Sequence, residues 1–367
     1  MKLIPNTAST VKFFIVISGI VLLGLTLQEL QHIFLPFIVA YMFFFLFSPL
    51  NNWLTAKKIP LFLVIPFNLV IITVIFAGAG TILYTSFIQI GDNLPAYYNK
   101  LNLVVREFSI SLGIKDPYFR KFNLERVIDR LDYKTLAADF LSFAADLTTM
   151  VFFIIIFFAF IVSGHKAIYT AIKKRYVTEK SADTEEADSL SEPVYYNEAR
   201  LEATFREITQ QIQRYIITKV SINLSAGVVV GLVLWLIGLD FPLVWGILTV
   251  LLNFVPTIGS VFSLVLPVLM ALIQYDAPGY ALLLGSIIIL IQTIFFNVLE
   301  PVFVGKNLGL NPIAILLSVL VWGYIWGVAG MLLAVPLTAI IKIMISNSHS
   351  RNLQFINELM SNRVSQR

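Results

Sequence analysis

Residues 241–274 read FPLVWGILTVLLNFVPTIGSVFSLVLPVLMALIQ, and the way this stretch meets a membrane decides the fold. A spanning helix takes about 20 apolar residues. The stretch is too long for one ordinary span and too short for two. Asn253-Phe254-Val255-Pro256-Thr257-Ile258-Gly259-Ser260 interrupts it near the middle. Legs of about 16 residues reach only about 24 Å at 1.5 Å per residue, less than the ~30 Å hydrocarbon core. A helical hairpin that enters and returns on one side satisfies both limits. Irregular backbone at that depth must be buried in protein or line a wet cavity. The tip is therefore expected to offer backbone amides and carbonyls to a polar substrate.

Outward from this stretch, the whole chain reads as membrane protein. Of its 367 residues 58% are hydrophobic and 13% charged, with a mean hydropathy of +0.83. A soluble domain is about 45–50% apolar and about 25% charged. Such a chain cannot cover a water-facing surface, so lipid is the solvent for much of it. The absence of Cys excludes disulfides, thiol catalysis and Cys-ligated metal. A net charge of +4 gives no reason to expect a nucleic-acid partner. The apolar run from Phe13 lacks a small-x-small cleavage pattern followed by a polar mature domain, so an uncleaved first helix is expected.

The pattern predicts an all-α polytopic protein of about six full transmembrane helices plus two broken hairpins, with a small helical extramembrane domain. Residues 1–90 hold the first three helices, about Phe13–Leu27, Ile33–Leu50 and Leu61–Ile90. Residues 91–145 form an extracytoplasmic amphipathic helical domain, in which Asn123–Leu131 has helical apolar spacing. The fourth helix occupies 146–163. A cytoplasmic loop, 164–215, contains an acidic stretch at 179–192 with no apolar periodicity. Residues 216–345 form the core, with full spans near Ile216–Ile237 and Tyr280–Val298, and 346–367 is a tail. Lys and Arg cluster after the second and fourth spans (Lys57, Lys58, Lys173, Lys174, Arg175), whereas Glu29, Asp240 and Asp276 mark the opposite turns. Both termini are therefore expected in the cytoplasm.

A second awkward stretch, Pro312–Ile345, resembles the first. Gly309-Leu310-Asn311-Pro312 opens it as Gly238-Leu239-Asp240-Phe241-Pro242 opens the other. Each runs to a glycine-containing break and then a proline: Gly259 and Pro267, Gly330 and Pro336. On the expected orientation they open from opposite sides, as in the inverted repeats that put transporter sites at mid-membrane.

Three motifs in this half carry a resemblance. Pro256-x-x-Gly259-Ser260 is the first. The second is Asn297-x-x-Glu300-Pro301-x-x-x-Gly305-Lys306-x-x-Gly309-Leu310-x-Pro312, and the third is Gly327-x-x-Gly330-Met331-x-x-Ala334-x-Pro336. Together they resemble the AI-2E (autoinducer-2 exporter) family, over most of the chain and most strongly from Arg214 to Lys342. The resemblance implies a bacterial inner-membrane transporter without a nucleotide-binding domain. Members are described as exporters of autoinducer-2, the quorum-sensing signal, and others as sodium(lithium)/proton antiporters. The acidic stretch at 179–192 is longer than the family pattern.

The candidate substrate or ion pathway comprises Asn253, Pro256, Gly259, Ser260, Gln292, Asn297, Glu300, Gly323, Gly327 and Gly330. Polar groups in lipid are costly and turn to a cavity or partner. Asn297 and Glu300 are three apart and would share a helical face. Glu300 is either a proton- or cation-responsive group or an interfacial carboxylate held by Lys306. Residues 253–260 form either a substrate-facing tip or a tight turn. The three glycines of the second break also suit small-residue packing. Arg214, Pro267, Pro301, Gly305, Lys306, Pro312 and Pro336 are gating or structural candidates, with Arg214 also placed to snorkel to headgroups.

No metal site and no cofactor are expected beyond possible coupling to protons or sodium. The sequence has no His-Glu-x-x-His, no Gly-x-Ser-x-Gly and no Gly-x-x-x-x-Gly-Lys-Ser/Thr, so protease, hydrolase and ATP-driven readings find no support. The expected partners are the bilayer, a small polar solute or cation, and further copies of the chain, for which the aromatic-rich first spans offer a scaffold. A non-transporting scaffold acting through residues 91–145 is the alternative of another class.

Overall fold

A computed structural model of the protein describes residues 7–111, 113–114, 116, 148–165, 167, 194–255, 258–275, 278–304, 310–346 and 350–361. These residues are helical with short connections: α1 (Thr7–Glu29), α2 (Gln31–Ala56), α3 (Leu61–Ser111), α4 (Thr148–His165), α5 (Val194–Ile237), α6 (Pro242–Leu252), α7 (Ile258–Gln274), α8 (Pro278–Gln292), a π-helical turn (Thr293–Leu299), α9 (Glu300–Val304), α10 (Pro312–Ser346) and α11 (Arg351–Met360). Among the described residues, six segments are long and apolar enough to cross a membrane: Gln31–Ala56, Leu61–Asn93, Thr148–His165, Arg206–Ile237, Pro278–Phe303 and Pro312–Ser346. Five of these match expected full spans. The first expected span falls in α1, whose apolar part, Phe14–Glu29, is shorter.

The sixth long segment is a folded hairpin. Trp326 (φ −128°, ψ 18°) and Gly327 (φ 59°, ψ −140°) leave helical geometry. Trp322 Nε1 donates to Thr338 Oγ1 at 3.2 Å. In a straight helix those residues would lie about 24 Å apart along the axis. The chain therefore turns back at the expected break.

The first broken stretch is also a hairpin. Gly238 (φ 81°) ends α5 in a Schellman motif, with Gly238 N–H donating to the Trp235 carbonyl and Leu239 N–H to the Leu234 carbonyl, both at 3.0 Å. Pro242 then opens α6 at a position where its missing N–H costs nothing. At the far end of α7, Gln274 Oε1 accepts from the Asp240 N–H and its Nε2 donates to the Gly238 carbonyl, each at 2.7 Å. Tyr275 OH donates to the Ile237 carbonyl at 2.9 Å. The stretch thus ends where it began, and its mouth is tied shut by side chains.

Helix α5 relates the two hairpins. Near its C-terminal end, Val230 and Leu234 pack with Leu239, Trp245 and Ala271 at the base of the first hairpin. Toward its N-terminal half, Ile212, Tyr215 and Ile216 pack with Leu310, Ala339 and Ile343 at the base of the second. Ile216 and Leu234 are separated by about 27 Å of helix, close to the ~30 Å hydrocarbon thickness. The tips meet between them: Val255 of the first hairpin packs with Val319, Trp322, Met331 and Ala334 of the second.

Two expectations are revised here. The helix of the third span does not stop near residue 90 but runs unbroken to Ser111. Nor does the span before Glu300-Pro301 end there. The Glu300 N–H donates to the Phe295 carbonyl, five residues back, and helix continues to Val304. A proline ring clashes with the carbonyl four residues before it. The wider π turn relieves that clash, so Pro301 is absorbed without breaking the helix. The rest of the 91–145 domain, including Asn123–Leu131, and the acidic stretch at 179–192 lie outside the described residues, as do Pro256, Gly305 and Lys306.

Candidate functional site

At the tip of the first hairpin a buried polar network joins three sequence-predicted residues to two others. Asn253 caps the end of α6 and points into the protein, 3% exposed. Its Oδ1 accepts from Ser260 Oγ at 2.8 Å, and its Nδ2 donates to the Thr249 carbonyl at 2.8 Å and to Ser263 Oγ at 3.3 Å. Gln292, buried at the end of α8, donates from Nε2 to Ser263 Oγ at 2.9 Å. Four polar side chains from three elements thus converge at the break. Buried amides and hydroxyls in lipid are retained only when satisfied, and these are satisfied by one another.

The two breaks are closed in the same way. A Cβ on Gly259 would sit 1.8 Å from the Leu252 carbonyl oxygen. One on Gly330 would sit 1.9 Å from that of Trp322. In each hairpin the returning leg presses a glycine onto the last carbonyls of the entering leg, which no side chain permits. Gly327 is needed for a different reason: its backbone conformation is one that only glycine adopts readily, while the space around it is open. Gly323 meets only the flexible Met331 side chain and serves packing. The second tip is anchored by Trp326, whose Nε1 donates to the Leu27 carbonyl at 2.8 Å.

Glu300 is paired with a residue the sequence reading did not single out. Lys219 Nζ lies 2.7 Å from Glu300 Oε1 and 2.9 Å from Oε2. The Lys219 side chain is 4% exposed and the Glu300 side chain 24%. Lys219 also stands 5.7 Å from the centroid of the Phe296 ring. An ion pair of this burial has a large desolvation cost and survives because both oxygens are engaged. Asn297 does not share its face with Glu300: it is exposed, because the π turn changes the angular step between residues 297 and 300.

The missed residues form a row. Tyr215, Lys219, Asn223, Gly227 and Gly231 are four apart along one face of α5. Gly227 and Gly231 make a Gly-x-x-x-Gly seat for α6: a Cβ on Gly227 would come within 2.6 Å of the Gly246 carbonyl, and one on Gly246 within 2.9 Å of that of Gly227. Asn223 donates from Nδ2 to the Val250 carbonyl at 3.3 Å, so this face of α5 runs beside the hairpin tip. A lysine inside an apolar span was the readable signal.

The other candidates take structural places. Pro267 and Pro336 are buried within the returning legs. Pro312 begins α10 behind Asn311, whose Oδ1 accepts from the Ala314 N–H at 2.6 Å as an N-cap. Arg214 is exposed. Among the described residues no group of three or more His, Asp or Glu side chains is arranged to hold a metal.

A bundle of apolar helices around two tip-to-tip broken hairpins, with a satisfied polar network at the first tip and a buried ion pair between α5 and α9, is the build of a membrane transporter. The AI-2E family transporter signature matches residues 13–350, so the chain belongs to that family. A transport protein of Borreliella burgdorferi, provisionally named as such, is 27% identical over 337 residues, 91% of this chain and 86% of its own. The AI-2 transport protein TqsA of Escherichia coli is 24% identical over 92% of both chains. A second Escherichia coli protein, with the provisional name transport protein YhhT, is 39% identical over 132 residues, 36% of this chain and 38% of its own. The chain is a multi-pass inner-membrane transporter.

Proposed function

We propose that the chain is a secondary transporter that exports a small polar solute of the autoinducer-2 class, with its substrate site at the two hairpin tips. The observation that carries this is the network of Asn253, Ser260, Ser263 and Gln292, buried where hairpins based at opposite ends of α5 come together. On this reading the hairpins are an inverted pair that re-enter the membrane from opposite faces, giving about eight membrane segments. Hydroxyls and amides that satisfy one another when the site is empty can exchange those bonds for a hydroxylated solute at little net cost. The relation to TqsA supports the solute class at the level that 24% identity carries.

A second reading, sodium(lithium)/proton antiport, is favoured by the buried Lys219–Glu300 pair. The scaffold reading gives neither feature a role. Both termini are placed in the cytoplasm on the charge pattern, and the exposed apolar faces of α1–α3 suit contact with lipid or with further copies in a homo-oligomer.

The test is counterflow of autoinducer-2-like sugars into proteoliposomes of the purified chain, with and without sodium and pH gradients. Saturable uptake that falls at least about fivefold in Asn253→Ala and Gln292→Leu supports the tip site, the loss of a positioned buried hydrogen bond being worth about 1–3 kcal/mol. Normal uptake in both variants excludes it.

A further inference from the structure

A cleft of about 980 Å³ lies between α3 and the face that α5 and α6 share. Its α5 wall runs from Leu224 to Trp235, about 16 Å of helix. That is close to the depth of one leaflet, half of the ~30 Å hydrocarbon core. Its α3 wall runs from Ile82 to Tyr97, just past the end of the apolar span at Asn93. The α5–α6 side is apolar: Leu224, Val228, Leu232 and Leu243 line it and are each more than half exposed. The α3 side carries Thr85, Gln89 and Asn93, four apart. Thr85 Oγ1 donates to the Thr81 carbonyl and Asn93 Nδ2 to the Gln89 carbonyl, both at 2.8 Å. Those donors are satisfied within α3 and need no polar occupant.

Charge stands at one end only. Asp240 lines that end beside the mouth of the first hairpin, is exposed, and forms no ion pair among the described residues. Burial, and then the Asp240 carboxylate, raise the Tyr97 phenol above its ordinary value, so the charge is felt by the α3 wall. Lys100, three residues beyond Tyr97, donates to the Gln274 carbonyl at 3.4 Å and brings a positive group to the same mouth. Trp235 lines this end too, as indoles do at headgroup level.

An opening of leaflet depth, apolar along its length and charged where it leaves the span, matches a phospholipid. An anionic headgroup would meet the Asp240 carboxylate unfavourably. A zwitterion can set its phosphate toward Lys100 and its ammonium on Asp240. We propose that the cleft holds one phospholipid with a primary-ammonium headgroup, an acyl chain lying between α3 and the α5–α6 face and the ammonium on Asp240. Tyr97 already packs against the base of the first hairpin, and the lipid extends that contact down the cleft. The site is separate from the tips, since none of Asn253, Ser260, Ser263 and Gln292 lines it.

The experiment is native mass spectrometry of the full-length chain released from detergent, titrated with phosphatidylethanolamine or phosphatidylglycerol of identical chains. Wild type is expected to retain phosphatidylethanolamine about fivefold better, the range of one exposed ion pair. Asp240→Asn should bring the two lipids to equal retention. The printed bonds of Asp240 to the hairpin are from its backbone, so this variant keeps the mouth intact. Val228→Trp, which fills the cleft, should weaken both lipids by at least about fivefold. Asp240→Asn keeps the test open should the tryptophan variant fail to fold. Equal retention of the two lipids by wild type, a preference that survives Asp240→Asn, or undiminished retention by folded Val228→Trp overturns the proposal. Displacement of the bound lipid by an autoinducer-2-like sugar would make the cleft a solute path and overturns it as well.

Discussion

The glycines at the two breaks differ in what they tolerate. Gly259→Ala and Gly330→Ala each put a methyl group into a backbone carbonyl of the opposite leg, which cannot yield as a side chain can. Overpacking of this kind costs about 1–3 kcal/mol or more, and thermal unfolding in detergent should show a lowered midpoint for both. Gly327→Ala should be destabilised to a similar degree through its backbone conformation alone. Gly279→Ala, with nothing within 4 Å of the new methyl, is the neutral control. If Gly259→Ala unfolds at the same temperature as Gly279→Ala, the legs do not press together as described. The ion pair makes a second residue-scale prediction. Lys219→Met and Glu300→Gln alone should each be strongly destabilising, by about 3 kcal/mol, because each leaves one buried partner unpaired. The double variant should recover most of that loss, since replacing a whole buried pair by neutral groups is often nearly neutral. A double-mutant cycle in urea or by thermal shift reads this, and additive losses would mean the two groups do not interact.

At the scale of elements, the hairpin mouths and the π turn carry the argument. Gln274 bridges both ends of the first hairpin with two side-chain bonds to backbone. Gln274→Leu should therefore loosen the mouth, costing about 1–3 kcal/mol, and amide exchange should rise at residues 238–241 while α5 below Val230 keeps its protection. Uniform exchange changes along the chain would show a global effect and not an opened mouth. Both breaks were legible in the sequence because their lengths fit neither one span nor two, and because Asn253, Gly259 and Gly327 are residues that irregular backbone selects. The pairing of Glu300 was not. The nearest cation in the chain is Lys306, and only the packing of α9 against α5 brings Lys219, 81 positions away, onto its carboxylate. The separation of Asn297 from Glu300 was hidden for a related reason. Their spacing of three implies one face only in an α-helix, and the accommodation of Pro301 by a π turn is set by how the helix packs, which periodicity does not record.

Across the whole molecule, the decisive question is whether the two hairpins open to opposite sides of the membrane. Helix α5 sets the scale: the base of the first hairpin packs at Val230–Leu234 and that of the second at Ile212–Ile216. The ~27 Å between Ile216 and Leu234 leaves little room for both bases to face one compartment unless α5 lay flat in the membrane. A flat helix would have to expose a polar face, yet the exposed side of α5 is apolar, with Leu224, Val228, Leu232 and Trp235 facing a cleft shared with α3. The natural absence of Cys makes labelling direct. A cysteine at Asp240, beside the first mouth, should react with a membrane-impermeant maleimide from the extracytoplasmic side. One at Asn311, where the second hairpin starts, should react only from the cytoplasm. One at Ser260 should label slowly from either side and be protected by the transported sugar. Labelling of Asp240 and Asn311 positions from the same compartment would remove the opposed-hairpin arrangement. Reaction at position 260 at the full rate of an exposed loop would make the first stretch a pair of ordinary spans with its tip in water. With opposed labelling and a slow, protectable tip, the polar network lies midway between the two solutions, where a site must sit to be reached from each in turn.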